Sequence, residues 1–229
     1  MTRDTQHRFL EDARRVTESL AVYIDQSRQG QAPVIRQQKM EQLIEQLGLE
    51  QHLRRGDLTG ETLQRFVDDY LQTTTRLHHP GFLAHQVAVP HTTGALGSLI
   101  DGATNNAMAI YEMGPGAASI EYFMIDWMLR QVGWQGVPVA QQLDPDSTHA
   151  GGVLTHGGSL ANLTALLAAR SARVPEFWKQ GSPGNLVVLV PEQSHYSLKR
   201  SVAIIGLGEA NCLTLPADEN GRVDPAGMK

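Results

Sequence analysis

Cysteine is nearly absent from this chain. Cys212 is the only one in 229 residues, so no disulfide can close within it, which fits a reducing, cytoplasmic compartment. Long apolar runs are missing too: nothing approaches the roughly 20 continuous apolar residues that cross a bilayer, and the opening Met-Thr-Arg-Asp-Thr lacks the apolar stretch of a secretion signal. A membrane partner is therefore not expected. Nor is there an excess of positive charge. With 19 Lys and Arg against 24 Asp and Glu, the net charge is −5, and the arginines are scattered or spaced along helix faces, which argues against nucleic acid as a partner. Lysine itself is scarce, occurring at Lys39, Lys179, Lys199 and Lys229. No internal repeat or low-complexity tract is visible.

What remains is a globular composition, 41% apolar and 19% charged, long enough for a real core. The first third reads as helical. Phe9, Ala13, Val16, Leu20, Tyr23 and Ile24 recur at helical spacing from Arg8 to Ser27, as do Met40, Leu43, Ile44 and Leu47 from Arg36 to Leu47. Breaks at Gln29–Pro33 and Gly56–Gly60 precede a further helix from Glu61 to Thr75. After the irregular HHPGFLAHQVAVP come two apolar helices, Thr92–Met113 and Ala118–Val132. Small residues in the first, Ala95, Gly97, Ala103 and Ala107, predict close packing and burial. From Gly151 onward strand and helix alternate: strand Val153–His156, helix Ser159–Arg173, strand Leu186–Val190, helix His195–Gly206, strand Cys212–Leu215. Strands separated by helices imply parallel βαβ crossovers and an α/β fold. About three strands make an incomplete sheet, so a fragment of a longer protein is expected.

The segment GGVLTHGGSLANLTALLAAR, residues 151–170, carries the first functional signal. A strand feeding through glycines into a helix aims the free N–H groups of the first turn, and the positive end of the helix dipole, at one point. Gly157 and Gly158 permit a ligand to approach the backbone; Ser159 can cap the helix or offer its hydroxyl to a phosphate oxygen. Read alone, the same residues also suit a plain βα turn. The second signal lies downstream, where the apolar run LVVLV leads into PEQSHYSLKRSVAIIGLG. His195 thus follows the C-terminal end of a parallel strand, the edge where open α/β sheets bind ligands, and the glycine turn follows the end of its own strand. Both motifs should face one cleft.

Together with HPGFLAHQ and the DWML around Asp126, these motifs resemble the pyridoxal-phosphate-dependent group II amino-acid decarboxylases, which act on glutamate, aromatic amino acids, cysteine sulfinate or 2,4-diaminobutyrate; the likeness runs from His79 to Asp224. The resemblance implies the large domain of a fold type I enzyme over residues 79–229. It also implies a helical segment over 1–78 that packs against a partner subunit in a homodimer. Pyridoxal 5'-phosphate is the implied cofactor and an amino acid the implied substrate. Gly158 and Ser159 would bind the cofactor phosphate, His195 would stack on its ring and act in catalysis, and His85 and Gln86 would line the substrate pocket. Polar side chains at His85 and Gln86 favour the acidic and diamino-acid branches over the aromatic one.

Family members also carry an aspartate that pairs with the pyridinium nitrogen and a lysine that forms the Schiff base, both beyond the matched region. Neither is present here, which predicts an inactive piece of a carboxy-lyase. Three other readings compete. Gly157-Gly158-Ser159-Leu160-Ala161 imitates a hydrolase nucleophile elbow with Ser159 as nucleophile, but Ala161 replaces its last glycine and His195 is the only later histidine. His78, His79, His85 and His91 could assemble a metal site, although their spacing matches no helical ligand pair. Finally, the chain could be a non-catalytic truncated module that dimerises through its helical start.

Overall fold

A computed structural model describes residues 3–56, 58–83, 85–138 and 149–223. The chain divides into two compact units, Met1–Asn105 and Asn106–Lys229.

The first unit is helical: α1 (Arg3–Arg28), α2 (Met40–Gln46), α3 (Leu49–Arg55), α4 (Gly60–Thr73) and α5 (Thr92–Thr104). Polar ties set the α1–α4 pairing. Asp12 Oδ1 accepts from the Gly60 N–H at 2.8 Å, Ser19 Oγ donates to Asp68 Oδ1 at 2.7 Å, and the Thr74 hydroxyl donates to Tyr23 Oη at 2.9 Å. Partner numbers rise together, so the two helices run parallel. Asp12 also does what Thr59 does not, supplying a side-chain acceptor to the start of α4. At the other end Arg76, buried, donates to Ser27 Oγ at 2.8 Å and to the Tyr23 carbonyl at 3.1 Å, with its guanidinium 4.4 Å from the Tyr23 ring centroid. A cation near the end of α1 complements the negative end of the helix dipole.

Two expectations for this unit are corrected. The helix expected over Arg36–Leu47 begins only at Met40, because Lys39 is extended and its N–H is held by Gln42 Oε1 at 3.3 Å; Gly48, at φ +58°, then separates α2 from α3. The helix expected from Thr92 to Met113 ends at Thr104, where Asn105 turns left-handed (φ +44°) and returns its N–H to Asp101 at 2.7 Å. Contrary to the packing expected from its small residues, α5 is exposed along its length; Leu96 and Ile100 are 55% and 63% accessible. Small residues permit close packing without themselves supplying the surface that covers them.

The second unit holds α6 (Pro115–Gln131), α7 (Gly158–Arg173), α8 (Phe177–Gln180), β1 (Val188–Pro191), α9 (Ser197–Ile204) and β2 (Cys212–Leu215). Proline at the first helical position starts α6 three residues before the expected Ala118, since its missing N–H costs nothing there. β1 and β2 pair in parallel, Val188 opposite Cys212 through Pro191 opposite Leu215, with α9 as the crossover. The core lies where Val202 (0% exposed), Ile205 and Leu207 meet Leu163, Leu166 and Leu167 of α7, together with Phe177, Leu186, Val188 and Cys212. The spacing of the three α7 leucines puts them on one stripe.

The strand expected over Val153–His156 does not form. Among the described residues no strand pairs with it, and the Leu154 N–H is held instead by Glu121 Oε1 on α6 at 3.3 Å. Extended backbone becomes a strand only when a neighbour takes its N–H and C=O groups. Gly152 lies close against α6: a Cβ there would come within 2.9 Å of Ile125 Cγ2.

Two pairs of substitutions probe this packing. Val202→Ala removes a fully buried side chain and is expected to cost about 2 kcal/mol, read as lost hydrogen-exchange protection in α7 and α9, whereas Ile204→Ala on the exposed face of α9 stays within about 0.5 kcal/mol. Arg76→Ala is expected to cost about 2–3 kcal/mol in the protection of α1 and α4 through the charged hydrogen bonds it removes, whereas Arg14→Ala, whose pair with Glu18 is exposed, leaves that protection unchanged.

Candidate functional site

α7 begins at a glycine for a conformational reason. Its N-cap, Gly157, has φ +89° and ψ 160°, a backbone that side-chain-bearing residues rarely adopt. Ser159 is therefore not the cap. It is the second residue of the helix, exposed, and no side-chain cap bond is made at this end. The first helical backbone bond runs from the Ala161 N–H to the Gly157 carbonyl at 3.2 Å, so the N–H groups of Gly158, Ser159 and Leu160 precede the helical ladder. A Cβ built on Gly157 or Gly158 would meet nothing within 4 Å. The turn thus faces open space, with backbone donors and one hydroxyl at its rim.

His195 lies four residues beyond Pro191, the last residue of β1, and its carbonyl accepts the Leu198 N–H at 3.1 Å as α9 begins. Two groups of Ser197 meet its Nδ1: the backbone N–H at 3.3 Å and the side-chain Oγ at 2.8 Å. Ser197 is buried, at 1% exposure, and its Oγ also accepts from Asn162 Nδ2 on α7 at 2.9 Å. Asn162 and Ser197 were not singled out from sequence. The available signal was the pair of spacings, a serine two residues after the histidine and an asparagine one turn inside the glycine-capped helix.

At the far end of the same helix pair, Arg170 donates from Nη1 to the Ile205 carbonyl at 2.7 Å while its guanidinium lies over the Phe177 ring at 3.8 Å. Both ties, Asn162 to Ser197 and Arg170 to Ile205, join residues 35 apart in sequence. α7 and α9 therefore run parallel in one register, and their positive N-terminal ends open at the same edge. The His195 ring rests 4.2 Å from the Tyr196 ring, which in turn has the Arg200 guanidinium 4.8 Å from its centroid.

The other candidates fall differently. His85 and Gln86 belong to the first unit, both exposed in an irregular segment, His85 with φ +57°. Lys199 pairs with Glu209 at 3.5 Å and Lys179 with Glu176 at 3.9 Å; Lys229 lies outside the described residues. The hydroxyl against His195 is that of Ser197, not of Ser159 as a hydrolase pairing would require. His78 contacts the Pro90 carbonyl at 3.0 Å and His79 accepts from the Gly81 N–H at 2.9 Å; among the described residues no group of three or more His, Cys, Asp or Glu is placed to hold a metal ion.

Comparison with known proteins accords with this geometry. The model of the pyridoxal-dependent decarboxylase conserved domain matches residues 56–229. An L-2,4-diaminobutyrate decarboxylase from Acinetobacter baumannii is 27% identical over 179 residues, 72% of this chain and 33% of that protein; glutamate decarboxylase from Drosophila melanogaster is 31% identical over 167 residues, 70% and 30% respectively. The chain thus spans about a third of the length of these relatives. Among solved structures, mouse CSAD superposes with a TM-score of 0.73 over 94% of this chain and 44% of that one at 21% identity, and Oryza sativa TDC, solved with PLP, with 0.73 over 100% and 47% at 20% identity. The fold is that of the fold type I decarboxylases, and the chain belongs to the pyridoxal-dependent decarboxylase family.

Proposed function

We propose that this chain supplies the phosphate-holding and ring-contacting part of a pyridoxal-phosphate-dependent L-amino-acid decarboxylase, a carboxy-lyase that releases carbon dioxide and an amine. The carrying observation is the shared register of α7 and α9, which opens the glycine turn and the His195 loop at one edge. The residues fit the cofactor. A phosphate dianion suits a helix N-terminus with N–H groups outside the ladder, open space before two glycines and an exposed hydroxyl. Gly158 and Ser159 would hold that phosphate, and the His195 imidazole would pack against the ring. When bound, the cofactor supplies the electron sink that lets the bond between Cα and its carboxylate break. The chain's own part is to neutralise the phosphate, fix the plane of the ring and keep one imidazole beside it.

On this reading His85 and Gln86 contribute to the substrate pocket, and their polarity, with the diaminobutyrate and glutamate decarboxylases among the relatives, favours a substrate with a polar side chain. Residues 1–78 act in homodimer packing. On this reading the 229-residue chain by itself does not decarboxylate: Lys179 and Lys199 lie at the surface beside Glu176 and Glu209, and Lys199 stands one helical turn past His195, where no lysine of the family acts.

The test uses 4'-deoxypyridoxine 5'-phosphate, which has the ring and phosphate but no aldehyde to react with lysine. It is expected to bind the 229-residue chain in competition with inorganic phosphate, about five- to tenfold more weakly in Ser159→Ala through one lost charged hydrogen bond, and not measurably in Gly157→Val, whose backbone cannot keep φ +89°. Equal binding of the phosphate-free ring, or an unchanged affinity in Gly157→Val, would overturn the reading. With pyridoxal phosphate and glutamate or 2,4-diaminobutyrate the same chain is expected to release no carbon dioxide above background; amine formation at ordinary enzyme rates would contradict the inactivity.

A further inference from the structure

His195 is gripped on one nitrogen, and the direction of the hydrogen bonds there is determined. The Ser197 backbone N–H can only donate, so Nδ1, 3.3 Å away, must present its lone pair. The Asn162 amide nitrogen donates to the Ser197 Oγ at 2.9 Å, and since that oxygen faces the Nδ1 lone pair 2.8 Å away, the Ser197 proton is the one that lies between them. Two donors thus converge on Nδ1, the backbone one fixing the direction of the other. Exchanging the oxygen and nitrogen of Asn162 would reverse only the side-chain relay, and a protonated Nδ1 would then confront the backbone N–H. Ser197 is 1% exposed, so water does not substitute for either partner without a rearrangement of the loop.

We propose that Asn162 and Ser197 are positioning residues that hold neutral His195 as the tautomer protonated at Nε2. The imidazole then offers an N–H, not a lone pair, to a ligand beside it, and the complementary ligand atom is an acceptor such as a carboxylate oxygen. Asn162 belongs to the helix whose first turn offers its N–H groups to a phosphate, and Ser197 opens the helix that His195 precedes. One polar chain therefore sets both the distance between the two loops and the protonation of the ring. The consequence for catalysis rests on the function proposed above; the tautomer does not, and it can be measured without cofactor.

Long-range proton–nitrogen correlation spectra of the 15N-labelled 229-residue chain, at a pH where the ring is neutral, distinguish a pyridine-like from a pyrrole-like nitrogen, with His195→Gln giving the assignment. The expected spectrum has Nδ1 pyridine-like and Nε2 pyrrole-like, with the Nε2-protonated form favoured by about tenfold or more. Ser197→Ala and Asn162→Ala are each expected to draw the two shifts toward the exchange average. Asn162→Asp, nearly isosteric, should act in the opposite sense, because a carboxylate accepts the Ser197 proton and leaves that oxygen to accept one from Nδ1. Circular dichroism identifies any variant that does not fold, and the wild-type spectrum decides the tautomer by itself. A pyrrole-like Nδ1 in the unaltered chain, or shifts that stay put in folded Asn162 and Ser197 variants, would overturn the proposal. If the tautomer is as stated but 4'-deoxypyridoxine 5'-phosphate does not bind, the cofactor reading fails and this one stands.

Discussion

The packing of α7 on α9 is the constraint from which the rest of the second unit follows. Val202 is completely buried against a stripe of leucines, and helices that interlock in this way cannot slide by one residue without exchanging apolar for polar partners along the contact. Fixing that register fixes both helix starts. Because each helix is entered from a loop, its start is also where its backbone donors lie outside the ladder and its dipole is positive. At α7 this leaves the N–H groups of Gly158, Ser159 and Leu160 ahead of the ladder, so the phosphate site proposed above needs no clustering of basic side chains in a chain of net charge −5.

How much of this was legible in sequence depended on whether the signal was local. β2 was read to the residue, and β1, α7 and α9 to within a few positions, since each combines an apolar pattern with its own start or stop residue. The glycine turn is legible as a turn, with two roles open to Ser159, capping the helix or offering its hydroxyl; the positive φ of Gly157 that removes the first is a backbone property that composition does not reveal. Errors of another kind arose where the outcome depends on a distant partner. Val153–His156 has the residues of a strand and lacks a paired neighbour among the described residues, while α5 has the small residues of a packed helix and is exposed. Asn162 and Ser197 belong to this second class, for the polar chain exists only once α7 and α9 are in register.

The two units solve similar problems with different chemistry. α1 and α4 are joined by a ladder of polar contacts from Asp12 to Arg76, most of them partly open to solvent, and such ties specify alignment more than they stabilise. In the second unit the apolar stripe supplies the stabilisation and the polar groups are kept for the ends. Arg170 illustrates the division. Its cation lies over the Phe177 ring and serves the last turn of α9, where the helix dipole is negative, so a buried charge is matched by a carbonyl and a π face without a carboxylate.

Asn162 and Arg170 therefore act as a pair. Each ties α7 to α9 across the same sequence offset, and at about 1.5 Å per residue the ties are about 12 Å apart along the helix. A single tie would let one helix pivot about it, and a pivot of a few degrees at the Arg170 end would swing the helix starts by several tenths of an ångström, enough to stretch the 2.9 Å bond from Asn162 to Ser197 that joins those starts. With both ends held and Val202 packed between them, rotation is opposed at both ends. The bond from Asn162 to Ser197 thus depends on an arginine two helical turns away that touches neither Ser197 nor the glycine turn.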